Sequence, residues 1–411
     1  MQAPTEYRRD TDVMQTVETV THLGLGRTAT GELIARTLPG EEVEVTDDGI
    51  RILTPSPQRV AAPCRHFKSC GGCAMQHASD DFVAGWKAGI VRKALENQGL
   101  AGEIAGVETS PPGSRRRAKL SGRKTKGGAL VGFHARASDQ IVAVPECKLL
   151  SPALLATLPA LERLTQMAAS RSAEVGLTVT QSLAGPDISV ETDRPLTREL
   201  REEIARWAED NRIARLVWAG EQVAMRAPPV QRFGRADVVP PPGAFLQATP
   251  QGEAALLAQV QRITAGARRI ADLFAGCGTF ALPLSERAEV HAVEGDAAML
   301  AALDRGWRQA GGLSRITTEA RDLFRRPLLP DELARFDAVV LDPPRAGAEA
   351  QVTEIARSSV RTVAMVSCNP VTFARDARLL TAAGFALQPV TVVDQFRWSP
   401  HIEIVAAFTR T

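Results

Sequence analysis

Aromatic residues are scarce in this chain, 5% of 411 positions with one tyrosine and five tryptophans. A surface that gains most of its affinity by stacking many single-stranded bases is thereby excluded. Cysteine is equally sparse: six residues are too few for a disulfide framework at this length. No run of about 18 uninterrupted apolar residues occurs, so no membrane-spanning helix is expected. Met1 to Asp12 carries charges of both signs and no apolar stretch, which predicts a cytoplasmic protein without an export signal. The charge has almost no net sign, 49 Lys+Arg against 47 Asp+Glu giving +2, so any attraction to nucleic acid must come from local clustering. What is present is an ordinary globular composition, 44% hydrophobic and 23% charged, which rules out global disorder. At roughly 150 residues per domain, the length allows two or three domains.

Val17 to about Val60 reads as short strands, with alternation in Glu42-Val43-Glu44-Val45 and Ile50-Arg51-Ile52-Leu53 around an Asp48-Gly49 turn. Pro55, Pro57 and Pro63 then mark a boundary near residue 60. Apolar residues at Phe82, Trp86, Ile90, Val91 and Leu95 keep helical spacing and predict one helix over Asp80 to Gln98. Arg115 to Trp218 mixes strand-like and helix-like pieces without a repeat, an α+β middle domain. Pro240-Pro241-Pro242-Gly243 marks the second boundary, giving expected domains at 1–60, 61–235 and 236–411. In the last of these, helical patterns separate compact apolar runs at Arg269 to Phe274, Val290 to Val293, Asp337 to Leu341, Thr362 to Val366 and Ile402 to Phe408. Such βαβ alternation predicts a doubly wound α/β domain around a buried, mostly parallel sheet.

The segment Asp272 to Phe280 falls where the first strand of that sheet turns into a helix. Its Gly276 and Gly278 permit a tight turn and close approach to a ligand, yet the third glycine of the pyrophosphate fingerprint is missing. Asp272 suits a cationic or amine-bearing ligand better than a pyrophosphate. Glu294, 18 residues after Gly276, closes the second strand where a carboxylate can accept hydrogen bonds from two ribose hydroxyls. One Gly-x-Gly loop, an acidic second strand and Asp342-Pro343-Pro344-Arg345 after the fourth resemble the class I S-adenosylmethionine-dependent methyltransferases.

Cys368, in Ser367-Cys368-Asn369-Pro370, stands at the carboxyl end of a parallel strand, where open α/β sheets collect ligands. Thiolates solve one methyl-transfer problem in particular: C5 of uracil becomes nucleophilic only after a nucleophile adds to C6. A free thiol is only slightly ionised at neutral pH, so the site must assist it. A buried structural cysteine is the alternative. After methylation the C5 proton must leave, which requires a base on the right face of the ring. Glu403, in Pro400-His401-Ile402-Glu403, is the candidate; His401 and a plain edge-strand glutamate are the alternatives.

Phe245-Leu246-Gln247, Asp272 to Phe280, Asp342 to Gly347, Ser367 to Pro370 and His401-Ile402-Glu403 together resemble the RNA uracil-5-methyltransferase family through the whole C-terminal domain. The resemblance implies Cys368 as nucleophile, Glu403 as base, and S-adenosylmethionine contacts from Gln247, Phe274, Thr279, Glu294, Asp322 and Asp342. Thr279 and Asp322 stand where relatives often carry asparagine, and Phe245 is placed to face an extruded base.

Cys64-x5-Cys70-x2-Cys73, with Cys147 about 70 residues later, supplies four thiolates, a set that holds either zinc or an iron-sulfur cluster. With Gly71-Gly72 inside it and Gln76-His77 after it, the pattern resembles the [4Fe-4S] site of the ribosomal-RNA branch of the family. Transfer-RNA relatives generally lack these cysteines. Seven basic residues without an acidic one lie between Pro112 and Gly128 (Arg115, Arg116, Arg117, Lys119, Arg123, Lys124, Lys126), a block suited to phosphates or simply a solvated hairpin. Gly24-Leu25-Gly26 and Leu38-Pro39-Gly40-Glu41 resemble the small RNA-binding TRAM barrel, here truncated. The expected activity is C5 methylation of a 23S ribosomal RNA uridine, with RNA as partner and no obligate protein partner evident. The alternatives are a transfer-RNA enzyme, an RNA-binding assembly factor without catalysis, and an amino-group methyltransferase. Arg345 stands where the last of these would carry an aromatic residue.

Overall fold

The computed structural model describes residues 13–46, 49–170 and 173–411. The reading of Met1 to Asp12 and the Asp48 half of the Asp48-Gly49 turn lie outside them. The described residues form three large sheets and a two-stranded ribbon, Gln231–Phe233 with Ala236–Val238. The first is antiparallel, running Leu33–Ala35, Leu25–Thr28, Val13–Val20, Glu42–Thr46, Gly49–Thr54. The alternation read from sequence appears as the pairs Val43↔Ile52 and Glu44↔Arg51, and Val17, Ile34 and Val43 fill one face. Among the described residues the path ends at Leu33–Ala35 and Gly49–Thr54 without those two strands pairing.

The second sheet has seven strands between Arg117 and Met225 and is backed by the helices Pro152–Ala168 and Arg198–Asp210. Leu120, Leu161, Leu164, Leu177, Ile188, Ile204 and Trp218 form its core. Full burial of each such side chain is worth about 1.5–3 kcal/mol, which offsets the ordering of the helices laid across the sheet.

The third sheet runs Ile316–Ala320, Glu289–Glu294, Arg269–Leu273, Ala338–Leu341, Thr362–Ser367, Glu403–Thr409, Val390–Asp394, Ile104–Thr109. The first five are parallel; Glu403–Thr409 runs antiparallel to both neighbours. Ala338–Leu341 is buried throughout, which is why its sequence is a continuous apolar run rather than an alternating one. Strand order reverses between Arg269–Leu273 and Ala338–Leu341, and the crevice this opens at their carboxyl ends is where such sheets bind ligands.

Two elements from the middle of the sequence are built into this third layer. Ile104–Thr109 pairs in parallel with Val390–Asp394, and Val91 and Leu95 of the helix Asp80–Glu96 join the core beneath the sheet. The sequence reading put both in 61–235. The cause is a long-range pairing: Val390–Asp394 offers a free edge, and a strand nearly three hundred residues earlier covers it.

Candidate active site

Four helix starts position the crevice residues. Thr249, Asp296 and Asn369 are N-caps whose side-chain oxygens accept from Gly252, from Ala298 and Met299, and from Val371 N–H respectively. Each cap fixes the backbone one or two residues after a candidate: Gln247, Glu294 and Cys368. Pro250 and Pro370 follow two of the caps at the position where a missing N–H costs nothing. The fourth start, after Arg269–Leu273, is the glycine loop.

There Phe274, Gly276 and Gly278 have φ of +64°, +55° and +94°. Gly278 has a further reason to be glycine: a Cβ would stand 2.8 Å from Leu282 and 2.9 Å from Leu303. A Cβ on Gly276 would meet nothing within 4 Å, so the loop's outer face is open. Glu294 accepts from Gly276 N–H at 3.0 Å and from Asp296 N–H at 3.0 Å, which holds its carboxylate at the mouth with lone pairs to spare. The Phe274 ring lies 5.5 Å from Phe324, and Asp322 accepts from Phe324 N–H at 3.0 Å, so Phe274, Glu294 and Asp322 gather on one side of the loop. Thr279 is half-buried one residue past Gly278.

Asp272 is wholly buried, and neither carboxylate oxygen has a hydrogen-bond partner. Burial and the neighbouring charges of Asp342 and Glu294 push its pKa well up. An orphaned carboxyl group under an open glycine loop fits a ligand that brings positive charge or N–H donors.

Across the crevice, Cys368 follows the strand Thr362–Ser367 directly. Asn369 Nδ2 and the Thr372 hydroxyl both donate to the Arg345 carbonyl, at 2.9 and 3.3 Å, tying the cysteine turn to the Asp342-Pro343-Pro344-Arg345 loop. Burial, with Glu403 and Asp342 nearby, pushes the thiol up to about 11, while Arg345 pulls it down. Burial pushes Asp342 up to about 7. Glu403 is 3% exposed, and burial with Asp342 takes its carboxyl up to about 8 against the opposing pull of Gln395 and Arg345. Thus Cys368, Glu403 and Asp342, from three different strand ends, sense one another's charge. The His401 ring packs edge-on against Phe396 at 5.4 Å; its partial desolvation there and the cations Arg345, Arg115 and Lys87 lower its pKa.

Gln247 is buried, and its Oε1 accepts from Gln395 Nε2 at 2.5 Å. Gln395 Oε1 accepts from Ala248 N–H at 2.7 Å, and the same side chain reaches Glu403. The sequence reading missed Gln395. Its only signal was its place directly after an apolar run and eight residues before Glu403. Phe245 is 58% exposed at the rim.

The chain is similar to known proteins along nearly its whole length. Residues 308–411 match the family model described as tRNA (Uracil-5-)-methyltransferase. An uncharacterized RNA methyltransferase of Caulobacter vibrioides is 47% identical over 402 residues, 94% of this chain and 97% of that one. The 23S rRNA (uracil(1939)-C(5))-methyltransferase RlmD of Halomonas elongata is 34% identical over 426 residues, 92% of this chain and 85% of that one. The chain belongs to the RNA uracil-5-methyltransferase family. Its fold is that of the Pyrococcus abyssi tRNA (uracil-54, C5)-methyltransferase, solved in complex with S-adenosyl-L-homocysteine, with a TM-score of 0.76 at 20% identity over 96% of this chain and 99% of that one. As an RNA uracil-5-methyltransferase it uses S-adenosylmethionine and acts on RNA. No helix among the described residues is long and apolar enough to cross a membrane.

A second constellation lies beside the catalytic domain of this methyltransferase. Cys64 and Cys73 are buried, Cys70 and Cys147 half-buried, and all four are free thiols. Charge on Cys64 would raise Cys70, Cys73 and Cys147, and burial takes Cys73 up to about 12. Among the described residues no three His, Cys, Asp or Glu side chains close on the radius of a single metal ion. Cys70 Sγ accepts from Gly72 N–H and Cys147 Sγ from Leu149 N–H, both at 3.4 Å. Buried thiols with amide donors aimed at sulfur fit a thiolate-bound group, whose positive iron would reverse the upward shifts.

The basic block is less free than its sequence suggests. Arg116 is paired with Glu253 at 2.5 Å in a half-buried bridge, Lys119 with Glu191 at 2.9 Å, and Arg123 with Glu174 at 3.2 Å. Arg115 is largely enclosed, over the Phe396 ring at 5.7 Å and within reach of the charges on Cys73, Cys147 and His401.

Proposed function

We propose that this enzyme methylates C5 of a uridine in 23S ribosomal RNA through a covalent bond between Cys368 and C6, with Glu403 as general base. The observation that carries the reading is the convergence of Cys368, Glu403 and Asp342 on one sheet edge, each with its proton held more tightly than usual. A merely structural cysteine does not require two buried carboxyl groups beside it.

Cys368 begins as a thiol and gives its proton to solvent water as sulfur bonds C6, a step the nearby Arg345 guanidinium favours. The ring then carries enolate character at C5. S-adenosylmethionine, when bound, supplies the electrophilic methyl group. Gln247, Phe274, Thr279, Glu294, Asp322 and Asp342 are the residues proposed to hold it, with Asp272 beneath them. Glu403 then takes the C5 proton, and the electron pair of that bond expels the Cys368 sulfur and restores the ring. Gln395 is bonded to Gln247 and lies near enough to Glu403 to favour its carboxylate, so the base and a cofactor-holding residue share one neighbour. The proposed division of labour is a TRAM-like unit at 1–60, a cysteine-bearing RNA-binding unit at 61–235 that lends Asp80–Glu96 and Ile104–Thr109 to the third sheet, and the methyltransferase unit at 236–411. Cys64, Cys70, Cys73 and Cys147 are proposed ligands of a [4Fe-4S] cluster, a reading supported by four free thiols whose charges act on one another. Cytoplasmic action follows from the substrate.

Transfer of labelled methyl groups to ribosomal and transfer RNA from a deletion strain, with mass mapping of the product, tests the substrate. Labelling of 23S RNA at one uridine is expected. Labelling of transfer RNA alone would favour the second reading, which rests on the family model's description and the Pyrococcus abyssi fold match. Anaerobic purification is expected to give a brown protein with iron and sulfide in equal amounts, whereas one zinc per chain would overturn the cluster.

A further inference from the structure

The cysteine loop and the candidate base are joined by the turn 395–402, which links Val390–Asp394 to Glu403–Thr409. On one side the Trp398 carbonyl accepts from Ala74 N–H at 2.7 Å and from Met75 N–H at 3.0 Å, and Ala74 directly follows Cys73. The Trp398 indole is 5% exposed and packs into one apolar cluster with Cys64, Phe67 and Cys73. Its φ is +59°, a conformation that a bulky residue keeps only when its surroundings impose it. On the other side Lys87, fully buried, donates to Asp394 Oδ1 at 2.6 Å, the Phe396 carbonyl at 3.2 Å and the His401 carbonyl at 2.8 Å. The turn that delivers Glu403 is therefore clamped from outside at both flanks.

One clamp is rigid in its own right, because Lys87 belongs to the helix Asp80–Glu96. The other is not. From Cys64 to Ala78 the chain forms only turns and isolated bridges, with Cys70 bridged to Ala135 and Ala78 to Arg59. Such a segment takes its shape from what its side chains bind rather than from a hydrogen-bonded ladder.

We infer that Trp398 is a positioning residue through which metal occupancy of the four-cysteine site sets the placement of Glu403. The inference rests on the cluster and on the role of Glu403 proposed above. With the thiolates gathered on the cluster, Ala74 and Met75 present their amides to Trp398 and the turn is held. With the metal removed, the segment relaxes, Trp398 loses its socket, and Glu403 is no longer held against the C5 proton. Addition by Cys368 and methyl transfer need no base at that position, so the step that fails is elimination, and enzyme should accumulate bonded to RNA.

The test compares iron-loaded protein, the same protein stripped by oxidation and chelation, and iron-loaded Trp398→Ala and Trp398→Phe. Hydrogen exchange is read for the peptide 395–403, and covalent adduct is read on denaturing gels after incubation with RNA and cofactor. Stripping, and Trp398→Ala, should speed exchange in that peptide about tenfold or more, with little change in Arg269–Leu273. Both should slow turnover about tenfold while adduct builds up, and Trp398→Phe should recover most of the loss. Unchanged exchange in 395–403 after stripping, or a rise spread equally through the sheet, overturns the inference. So does Trp398→Ala with normal turnover, or with lost turnover and no adduct. Should Trp398→Ala not fold, the stripped protein and Trp398→Phe decide the matter. Glu403→Gln is the control on the underlying reading: its failure to trap adduct would remove Glu403 as base, while the exchange arm would still judge the link to Trp398.

Discussion

Glu403 illustrates how a single buried carboxyl group couples chemistry to stability. Its pKa rises from an ordinary 4.5 to about 8, so between those values the unfolded chain releases a proton that the folded site retains. Below pH 4.5 both states are protonated and nothing is lost; as pH climbs to about 8 the folded state forfeits stability, on the order of 5 kcal/mol in all. Asp342 adds a loss of the same sign, between 3.8 and about 7. Glu403→Gln should therefore flatten the pH dependence and be more stable than the native protein at pH 8, with the gap closing towards pH 4.5. Denaturant midpoints across that range check this, and a gap that widens in acid would contradict it. With Glu403 as the base proposed above, turnover by the native enzyme should rise with pH up to about 8, since only its carboxylate could accept the C5 proton.

Among elements, the glycine loop and the helix Asp80–Glu96 make opposite demands. Gly278→Ala adds one methyl group to a backbone at φ +94° and drives it against Leu282 and Leu303. A loss of about 1–3 kcal/mol is expected, together with cofactor affinity at least about tenfold weaker, because the loop must shift to admit the methyl. Calorimetric titration and thermal melts would measure both. Lys87→Met leaves Asp394 buried without its cation and should cost about 3–5 kcal/mol, whereas Lys87→Met combined with Asp394→Leu should recover part of that in denaturant titrations. The loop's logic was legible in the sequence because it is local: two glycines, a strand before and a helix after. The parallel strands were legible for the same reason, as buried apolar runs, and so was Cys368 at a strand end. The Lys87 pair was not, since its partners lie 307 residues apart and no periodicity records that. Gln395 was missed on the same ground, and Glu253 and Glu191 neutralise Arg116 and Lys119 from elements that sequence spacing could not bring together.

At the scale of the whole molecule, the five-stranded sheet lies against the cysteine loop and the helix that follows it. Leu38 packs with Ala74, Met75, Ala78 and Val83, Trp86 Nε1 donates to the Thr21 carbonyl at 3.1 Å, and buried Glu41 grips Arg59. Deleting residues 1–55 should lower the melting temperature and, with the cluster proposed above, speed loss of its iron to a chelator, while cofactor affinity stays within about twofold, because the crevice touches none of these contacts. Iron release at the native rate in the shortened chain would show that the sheet protects nothing.

The strand Ile104–Thr109 bears on how the chain is made. It leaves the ribosome long before Val390–Asp394, the neighbour it must pair with, and at about 5–20 residues per second it waits tens of seconds for that partner. Until then its polar backbone and the apolar flank of Asp80–Glu96 are open to any passing strand or chaperone. A polypeptide cut short before Val390 would lack the neighbour of Ile104–Thr109, so this sheet can close only after that stretch has been made.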